Sequence, residues 1–232
     1  VPLLHDMIPL HAFANREQKM FTGNFMHDNR HVIRHANLVL ANSEFTKREI
    51  THFGDEGHFP GLPDVVAVPL SHELRTTGEP MAMEIPQHPY VMCVGTLTGR
   101  KNLECVMDAL LSLFEQGRPV PDLVLAGARR KRAEVFAHQD RFAAIRDRVH
   151  FYHDPNQTEL HALYQGALAL IIPSYMEGWG LPLGEALWVG TPGLASTAPA
   201  LQEVGSDLAS YFDPAKPAEL AILIDALQDD PQ

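Results

Sequence analysis

Short apolar runs alternate with amphipathic segments over the second half of the chain. Runs of strand length occupy residues 90–94, 122–127, 149–153 and 167–172. The last of these is continuously apolar, which favours a strand buried on both faces, as in a parallel sheet. The segment after the first run has apolar residues at helical spacing, so it is predicted to be a helix whose packed face comprises Leu103, Val106, Leu110, Leu113 and Phe114. This alternation of strands and helices predicts a doubly wound parallel sheet.

The first part of the chain has the same pattern in a shorter form. Residues 1–4, 38–41 and 64–69 are predicted strands, and residues 16–35 are predicted to be helical. Ser43 is placed to cap a further helix, because serine is a preferred residue at that position. Residues 69–89 are polar and contain four prolines, as interdomain linkers often do.

We therefore divide the chain into a partial first α/β domain at 1–70, a linker at 71–89 and a second domain at 90–232. The sequence begins within a strand-like run without an initiator methionine and ends just after a predicted helix. We expect it to be a fragment of a longer protein, or a larger chain with parts missing.

Charge and cysteine content narrow the class of protein. The net charge of −11 argues against a general nucleic-acid binder, because such proteins are normally basic. Cys93 and Cys105 lie in apolar segments and are predicted to be buried thiols of a reducing compartment. Neither a signal peptide nor an apolar run of about 18 residues is recognisable, so a cytoplasmic location is expected.

Several polar groups allow two interpretations. His27, His31 and His35 share one helical face, which could bind a metal, but a solvated face is favoured because no cysteine or acidic cluster accompanies them. The basic run 129–132 is either a solvated helix face or a patch for anionic lipid or cofactor. Glu203 is interpreted as an acid in the first turn of a helix.

The chemistry is expected where the strand at 167–172 passes through a loop into a helix. Ligands of open α/β sheets bind outside the carboxyl ends of the strands, and a helix N-terminus suits a phosphate. Glu177 and Glu185 flank this turn, while Gly178 and Gly180 allow the backbone to approach a ligand. A pair of glutamates at this spacing means little alone, because chance supplies such pairs.

Two further groups lie at other strand ends. Arg100 and Lys101 are predicted at a helix start, where cations oppose the helix dipole unless an anion such as a diphosphate lies nearby. His5 and Asp6 follow the first strand, and this position fits either a surface turn or a site facing a crevice.

Four segments resemble one enzyme family. PSYMEGWGLPLGEALWVGTP resembles the E-x7-E signature of retaining GT-B glycosyltransferases of family 4, with Trp179 in place of the usual phenylalanine. VGTLTGRKNL resembles the diphosphate-binding segment of that family, although Thr96 stands where many members have arginine. HDMIPL and ANLVLANSEF resemble its HD-x-I-P-L and AD-x-V-I-x-V-S-E segments.

The resemblance implies a GT-B fold with a C-terminal Rossmann-like domain and part of an N-terminal one. It also implies transfer of a hexose, with retention at the anomeric carbon, from a nucleotide-diphosphate sugar to a glycan or lipid-linked acceptor in polysaccharide biosynthesis. GDP-mannose is the first expected donor and a UDP-hexose the second. No metal and no other cofactor is expected, and contact with the inner face of a membrane would accompany a lipid-linked acceptor.

The same resemblance assigns roles to individual residues. It implies that His5 and Glu177 meet the sugar as catalytic residues, and that both glutamates bind substrate rather than act as nucleophile and acid. The implied donor-binding residues are Gly95, Arg100, Lys101, Gly178, Trp179, Gly180, Leu181 and Glu185. Phe151, Tyr152 and His153 are a weaker prediction for the pocket of the base. Two alternatives remain open: a non-catalytic or truncated nucleotide-sugar-binding module, and another GT-B activity such as a sugar-nucleotide epimerase.

Overall fold

The computed structural model describes residues 1–11, 19–76, 78, 83–95, 99–128 and 131–229, and these fall into two compact units. The first unit is made of Val1–Ser71 with two later segments, Met176–Leu181 and Pro199–Val204. The second unit is made of the rest, namely His72–Tyr175, Pro182–Ala198 and Gly205–Gln232.

The first unit is built on a parallel sheet of three strands in the order β1-β2-β3, as far as the described residues show. These strands are β1 (Leu3–Leu4), β2 (Val39–Ala41) and β3 (Val65–Ala67), and the accompanying helices are α1 (Lys19–Arg34) and α2 (Glu44–Asp55). Leu40 is opposite both Leu3 and Val66. The core combines residues from strands and helices: Leu4, Met7, Ile33, Val39, Ala41, Ile50, Phe53 and Phe59.

The second unit has a parallel sheet with the strand order β6-β5-β4-β7-β8-β9 over the described part of the chain. Its strands are β4 (Tyr90–Val94), β5 (Asp122–Gly127), β6 (Val149–His153), β7 (Ala169–Ile172), β8 (Gly193–Ser196) and β9 (Ala209–Phe212). Counted from the first strand of this unit, the order is 3-2-1-4-5-6, which is the doubly wound arrangement of dinucleotide-binding folds. The order of the strands reverses between β4 and β7.

Six helices of the second half of the chain complete the described structure. They are α3 (Leu103–Glu115), α4 (Lys131–Ala137), α5 (Gln157–Gly166), α6 (Leu181–Val189), α7 (Pro199–Gly205) and α8 (Pro217–Asp229). The predicted packed face of α3 is confirmed for four of its five residues, but Phe114 is 46% exposed because it lies in the last turn, where the helix is about to end. Cys93 and Cys105 are buried free thiols, as predicted.

Most predicted elements are confirmed, and two local features differ. The helix predicted at Arg100 begins at Leu103, and a short 3-10 turn, Gly99–Lys101, precedes it. A 3-10 segment, Asp140–Arg148, had no prediction. Residues 129–130 of the basic run lie outside the described ranges, as do Thr96 and residues 16–18 of the first predicted helix.

The compact units do not follow the order of the chain. The segments 176–181 and 199–204 were assigned from the sequence to the domain at 90–232, but they group with residues 1–71 because they contact that part of the chain. His27 and His31 are exposed on α1, and the exposed His35 follows directly after it, with the rings of His31 and His35 in edge contact at 5.1 Å. In the ranges that the structure describes, no helix is long and apolar enough to cross a bilayer.

Candidate active site

The carboxyl ends of β4 and β7 lie side by side at the point where the strand order of the second unit reverses. These two strands are hydrogen-bonded neighbours, with Val91 opposite Ala169 and Met92 opposite Leu170. Ligands of doubly wound sheets bind at this switch point, because the loops leave adjacent strands in opposite directions. The predicted cation pair follows β4, and the predicted glutamate motif follows β7.

Arg100 and Lys101 are held beside the end of β7 by a rigid turn. The amide nitrogen of Tyr175 donates to the carbonyl of Arg100 at 3.0 Å. Asn102 takes a left-handed conformation with φ of 53°, and its buried side-chain amide donates to the carbonyls of Pro173 at 3.1 Å and Pro214 at 2.8 Å. Both cations therefore sit on a turn that is attached to the loops after β7 and β9.

The cation pair lies at the N-terminal end of α3, where the helix dipole is positive. Because α3 begins only at Leu103, Arg100 and Lys101 lie ahead of the helix and not within its first turn. Asparagine is one of the few residues that accept a left-handed backbone, so Asn102 lets the chain leave the 3-10 turn and enter α3. The cations are thus placed by the turn and its hydrogen bonds.

Gly95 ends β4 with φ of 121°, a conformation that favours glycine. A Cβ atom on its neighbour Gly127, which ends β5, would lie 2.8 Å from the carbonyl oxygen of Gly95. The two strand ends therefore approach each other closely, and among the described residues nothing lies within 4 Å of the position of a Cβ atom on Gly95.

Glu185 lies in the second turn of α6 and is half-buried. The hydroxyl of Tyr164, at the end of α5, donates to its Oε2 atom at 3.0 Å. Burial raises the pKa of Glu185 above its ordinary value, and the hydrogen bond from Tyr164 offsets part of that rise. The arrangement presents a partly desolvated carboxylate, which is a strong acceptor for hydroxyl groups.

Glu177 belongs to the segment that groups with the first unit, where it is buried. The carbonyl of the next residue, Gly178, accepts hydrogen bonds from the hydroxyls of Ser43 at 2.7 Å and Thr46 at 3.0 Å. A Cβ atom on Gly178 would lie 2.0 Å from the carbonyl oxygen of His5, so only glycine fits there. The structure thereby brings His5 and Glu177 into one neighbourhood of the first unit.

The other predicted residues of this loop accompany Glu177. Trp179 and Gly180 are buried, and Leu181 is the first residue of α6. His5 itself is exposed, and Asp6 accepts a hydrogen bond from the amide of Ile8 at 3.0 Å, so the turn interpretation of Asp6 is confirmed.

Glu203 has a different role from the one that the sequence suggested. It is the fifth residue of α7 and lies outside that helix's first turn. Its carboxylate instead accepts hydrogen bonds from the amides of Glu44 at 2.7 Å and Phe45 at 2.5 Å. The side chain of Ser43 accepts from the amide of Thr46 at 2.8 Å, as the predicted cap of α2. Glu203 thus complements the N-terminus of α2, a helix from a distant part of the chain.

The residues predicted for the base pocket divide between the two faces of β6. Phe151 and His153 share one face, with ring centroids 6.1 Å apart, and His153 pairs with Glu134 at 3.1 Å. Tyr152 points to the other face, where its hydroxyl donates to the carbonyl of Glu84 at 2.9 Å. A pocket on this strand can use the first two residues or Tyr152, because neighbouring residues of a strand face opposite sides.

The structure therefore gathers the predicted residues into two groups. The first unit holds His5, Glu177, Gly178, Trp179, Gly180 and Leu181. The second holds Gly95, Arg100, Lys101, Glu185, Phe151, Tyr152 and His153. Across the described ranges, no group of three histidine, cysteine or acidic residues is arranged to hold a metal ion.

Three residues that support these groups carry no local signal of their role. Thr46 contacts Gly178, Tyr164 contacts Glu185, and Asn102 fixes the turn of the two cations. Of the three, only Asn102 lies within a segment that the resemblance singles out.

Comparisons with known proteins find relatives among glycosyltransferases. The chain is 26% identical over 200 residues to O-antigen chain mannosyltransferase B of Escherichia coli. The matched region covers 84% of this chain and 52% of that protein. The chain spans about half or less of the length of the curated relatives that it matches.

Solved structures show the same fold. Sucrose-phosphate synthase of Thermosynechococcus elongatus superposes with a TM-score of 0.76 at 22% identity, over 99% of this chain and 58% of that one. Anabaena Alr3699/HepE in complex with UDP-glucose gives a TM-score of 0.70 at 20% identity, over 98% of this chain and 62% of that one. Both likenesses indicate the GT-B fold. The family model of glycosyl transferases group 1 matches residues 83–232, and the chain therefore belongs to that family.

Proposed function

We propose that this chain is the donor-binding part of a retaining hexosyltransferase that uses a nucleotide-diphosphate sugar. The observation that carries the proposal is the set of charged residues after the adjacent ends of β4 and β7. There a rigid turn holds Arg100 and Lys101, while the neighbouring helix α6 carries the half-buried acceptor Glu185. Cations and a carboxylate acceptor at a switch point match two parts of a nucleotide, its anionic diphosphate and its hydroxyl-bearing ribose.

Each group of the second unit has a role in holding the nucleotide. Arg100 and Lys101 neutralise the diphosphate, and the amides at the start of α6 add a partial positive charge. Glu185 accepts hydrogen bonds from ribose hydroxyls. Gly95 leaves room for the phosphates to approach the backbone, and the face of β6 with Phe151 and His153 offers aromatic surface to the base. This neutralisation makes a metal unnecessary.

The first unit contributes the groups that we assign to the sugar. Glu177, the backbone of Gly178, Trp179 and Gly180, and the side chain of His5 orient the hexose. Glu177 and Glu185 bind substrate in this scheme, and the departing phosphate removes the proton from the attacking hydroxyl of the acceptor. The acceptor then enters on the face that the leaving group vacates, which gives retention.

Mannose is our first choice for the sugar, because the Escherichia coli relative is named a mannosyltransferase. A UDP-hexose is the second choice, because Alr3699/HepE was crystallised with UDP-glucose. The proposed acceptor is a glycan or lipid-linked glycan in polysaccharide synthesis, and a lipid-linked acceptor would bring the protein to the inner face of a membrane. The buried free thiols are in keeping with the cytoplasm.

A calorimetric panel of GDP, UDP, ADP and dTDP tests the nucleotide site. One nucleotide should bind well, and Arg100→Ala with Lys101→Ala should weaken it by about tenfold or more, since hydrogen bonds to charged groups contribute about 1.5–3 kcal/mol. Lys47→Ala is the control, because Lys47 is a surface cation of α2 paired with Glu44. Absence of binding by every nucleotide would contradict the proposal.

One alternative has a specific observation in its favour. Because the chain spans only about half of its relatives, it could bind a nucleotide sugar without turning it over. Release of nucleoside diphosphate from GDP-mannose, with the anomeric configuration of the product read by NMR, separates the two. Binding with neither release nor conversion identifies a binding module, and formation of an epimerised nucleotide sugar without transfer identifies an epimerase.

A further inference from the structure

Tyr164 joins the end of α5 to the proposed ribose-binding carboxylate. Its side chain is completely buried, and its hydroxyl donates to Oε2 of Glu185 at 3.0 Å. The two residues are 21 positions apart along the chain. A buried aromatic ring cannot move without disturbing its packing, so the hydroxyl marks a fixed point for the carboxylate.

The backbone around Tyr164 is held at several points. The hydroxyl of Tyr90 donates to the carbonyl of Leu163 at 2.7 Å. The buried Thr191 donates through its hydroxyl to the carbonyl of Tyr164 at 2.7 Å, and through its amide to the carbonyl of Ala186 at 2.8 Å. The end of α5 is thereby tied to β4 on one side and to α6, which carries Glu185, on the other.

The electrostatics fix the direction of the hydrogen bond. Burial and the nearby Glu185 carboxylate raise the pKa of Tyr164 far above its ordinary value, so the phenol keeps its proton and must be the donor. Oε2 of Glu185 is therefore the acceptor of this hydrogen bond.

We propose that Tyr164 is a positioning residue that orients Glu185 toward ribose hydroxyls and so makes the site select ribonucleotides over deoxyribonucleotides. This inference rests on the proposed function. It adds to the site a residue that does not touch the substrate, and it attributes the preference for ribonucleotides to that residue. Without the hydroxyl, the half-buried carboxylate could turn away from the ribose or take up a proton.

Affinity for paired nucleotides tests the proposal. The Kd values of GDP, UDP and ADP are measured beside those of their 2′-deoxy and 3′-deoxy forms, for the wild type and for Tyr164→Phe. For the nucleotide that binds, Tyr164→Phe should weaken the ribose form about 3- to 10-fold, the range of a lost hydrogen bond, and leave at least one deoxy form unchanged. Equal weakening of ribose and deoxyribose forms would show that Tyr164 is only structural.

Tyr90→Phe is the matched control. It removes the hydroxyl of another buried tyrosine that also bonds α5, but that hydroxyl donates to a backbone carbonyl and not to Glu185. It should leave the ratio of ribose to deoxyribose affinity unchanged. The same shift of the ratio in both variants would overturn the proposal.

Two further readouts keep the proposal testable if folding is affected. In a Glu185→Gln background, Tyr164→Phe should change the ratio no further, because the carboxylate is already absent. In the wild-type background, the acid limb of ribonucleotide binding should move to higher pH in Tyr164→Phe, because the hydrogen bond that lowers the pKa of Glu185 is gone. An unmoved limb would contradict the proposal. A wild type that binds no nucleotide contradicts the proposed function, whereas one that binds ribose and deoxyribose forms equally contradicts this inference.

Discussion

Glu177 and Glu185 lie eight residues apart in the same motif, yet different parts of the molecule hold them. Glu177 is on a loop that groups with the first unit, and the carbonyl next to it is fixed by hydroxyls of α2. Glu185 is on a helix of the second unit, and a buried tyrosine holds its side chain. One carboxylate is placed through its backbone and the other through its side chain.

The spacing of the two glutamates in the motif therefore reflects the path of the chain, and it does not mean that the same contacts hold both side chains. The chain passes from one unit to the other within a few residues, and Gly178 is the residue whose backbone closely approaches that of His5. Damage to the first support should therefore impair the handling of the sugar, while damage to the second should impair the binding of the nucleotide.

Gly178→Ala should have the largest effect. Its Cβ would lie 2.0 Å from the carbonyl oxygen of His5, so the loop that carries Glu177 must move. A displacement of about 1 Å can cost about 100-fold in rate, and we expect a loss of that size in kcat/KM for hexose transfer. Gly23→Ala is the control, because no described residue lies within 4 Å of its Cβ position and alanine favours a helix. Wild-type activity in Gly178→Ala would refute the assigned contact.

Thr46→Val should have a smaller effect on the same step. It removes one donor to the carbonyl of Gly178 but keeps the shape of the side chain. The kcat of transfer should fall by about 3- to 10-fold, while the Kd of the nucleoside diphosphate stays the same.

The control for Thr46→Val is Thr51→Val on the same helix. The hydroxyl of Thr51 donates to the carbonyl of Lys47 at the surface, away from the loop, so kcat should be unchanged. A loss of nucleotide affinity in Thr46→Val would contradict the claim that separate contacts serve the sugar and the nucleotide.

Glu203→Gln should lower stability rather than alter chemistry directly. A carboxylate that accepts hydrogen bonds from the first amides of α2 interacts favourably with the helix dipole. Its neutralisation should therefore lower the free energy of unfolding by about 0.5–1 kcal/mol. Urea denaturation at low and high salt measures this, and the difference should shrink with salt. Glu56→Gln at the other end of α2 should be neutral or slightly stabilising, because a carboxylate there opposes the dipole. Destabilisation by both variants would contradict the capping role.

Glu185→Gln should have the smallest effect on stability, and its sign depends on pH. Burial raises the pKa of Glu185 above its ordinary 4.5, so the folded state holds that proton more tightly than the unfolded chain. The corresponding stability is present below pH 4.5 and is lost as the pH rises through the raised pKa. The unfolding free energy of Glu185→Gln relative to wild type should therefore rise from pH 4 to pH 7. A fall over that interval would show that the carboxylate is stabilised in the fold.

Local patterns were enough to predict the elements of the fold. Apolar runs located β4 to β7, and Ser43 could be predicted as a cap because serine is preferred at that position, which its bond to the amide of Thr46 confirms. The cation pair was correctly placed after β4, but not the start of α3, because the left-handed Asn102 interrupts the helix.

The contacts that hold the site residues could not be predicted from the sequence, for a different reason. Thr46 meets Gly178 across 132 positions, and Glu203 meets Phe45 across 158. Such contacts depend on where the topology brings distant segments together, and no periodicity in the sequence encodes them. The resemblance named the glutamates, but only the structure showed what holds them.

The most direct test of two separate supports compares a nucleoside diphosphate with its sugar conjugate. Kd values for GDP and GDP-mannose, and for UDP and UDP-glucose, are measured in wild type, Glu177→Gln and Glu185→Gln. Glu185→Gln should weaken both members of the binding pair by the same factor, about tenfold, because it acts on the ribose that they share. Glu177→Gln should weaken only the sugar conjugate. If Glu177→Gln weakens the bare diphosphate equally, the two glutamates act as one site and the division of roles is wrong.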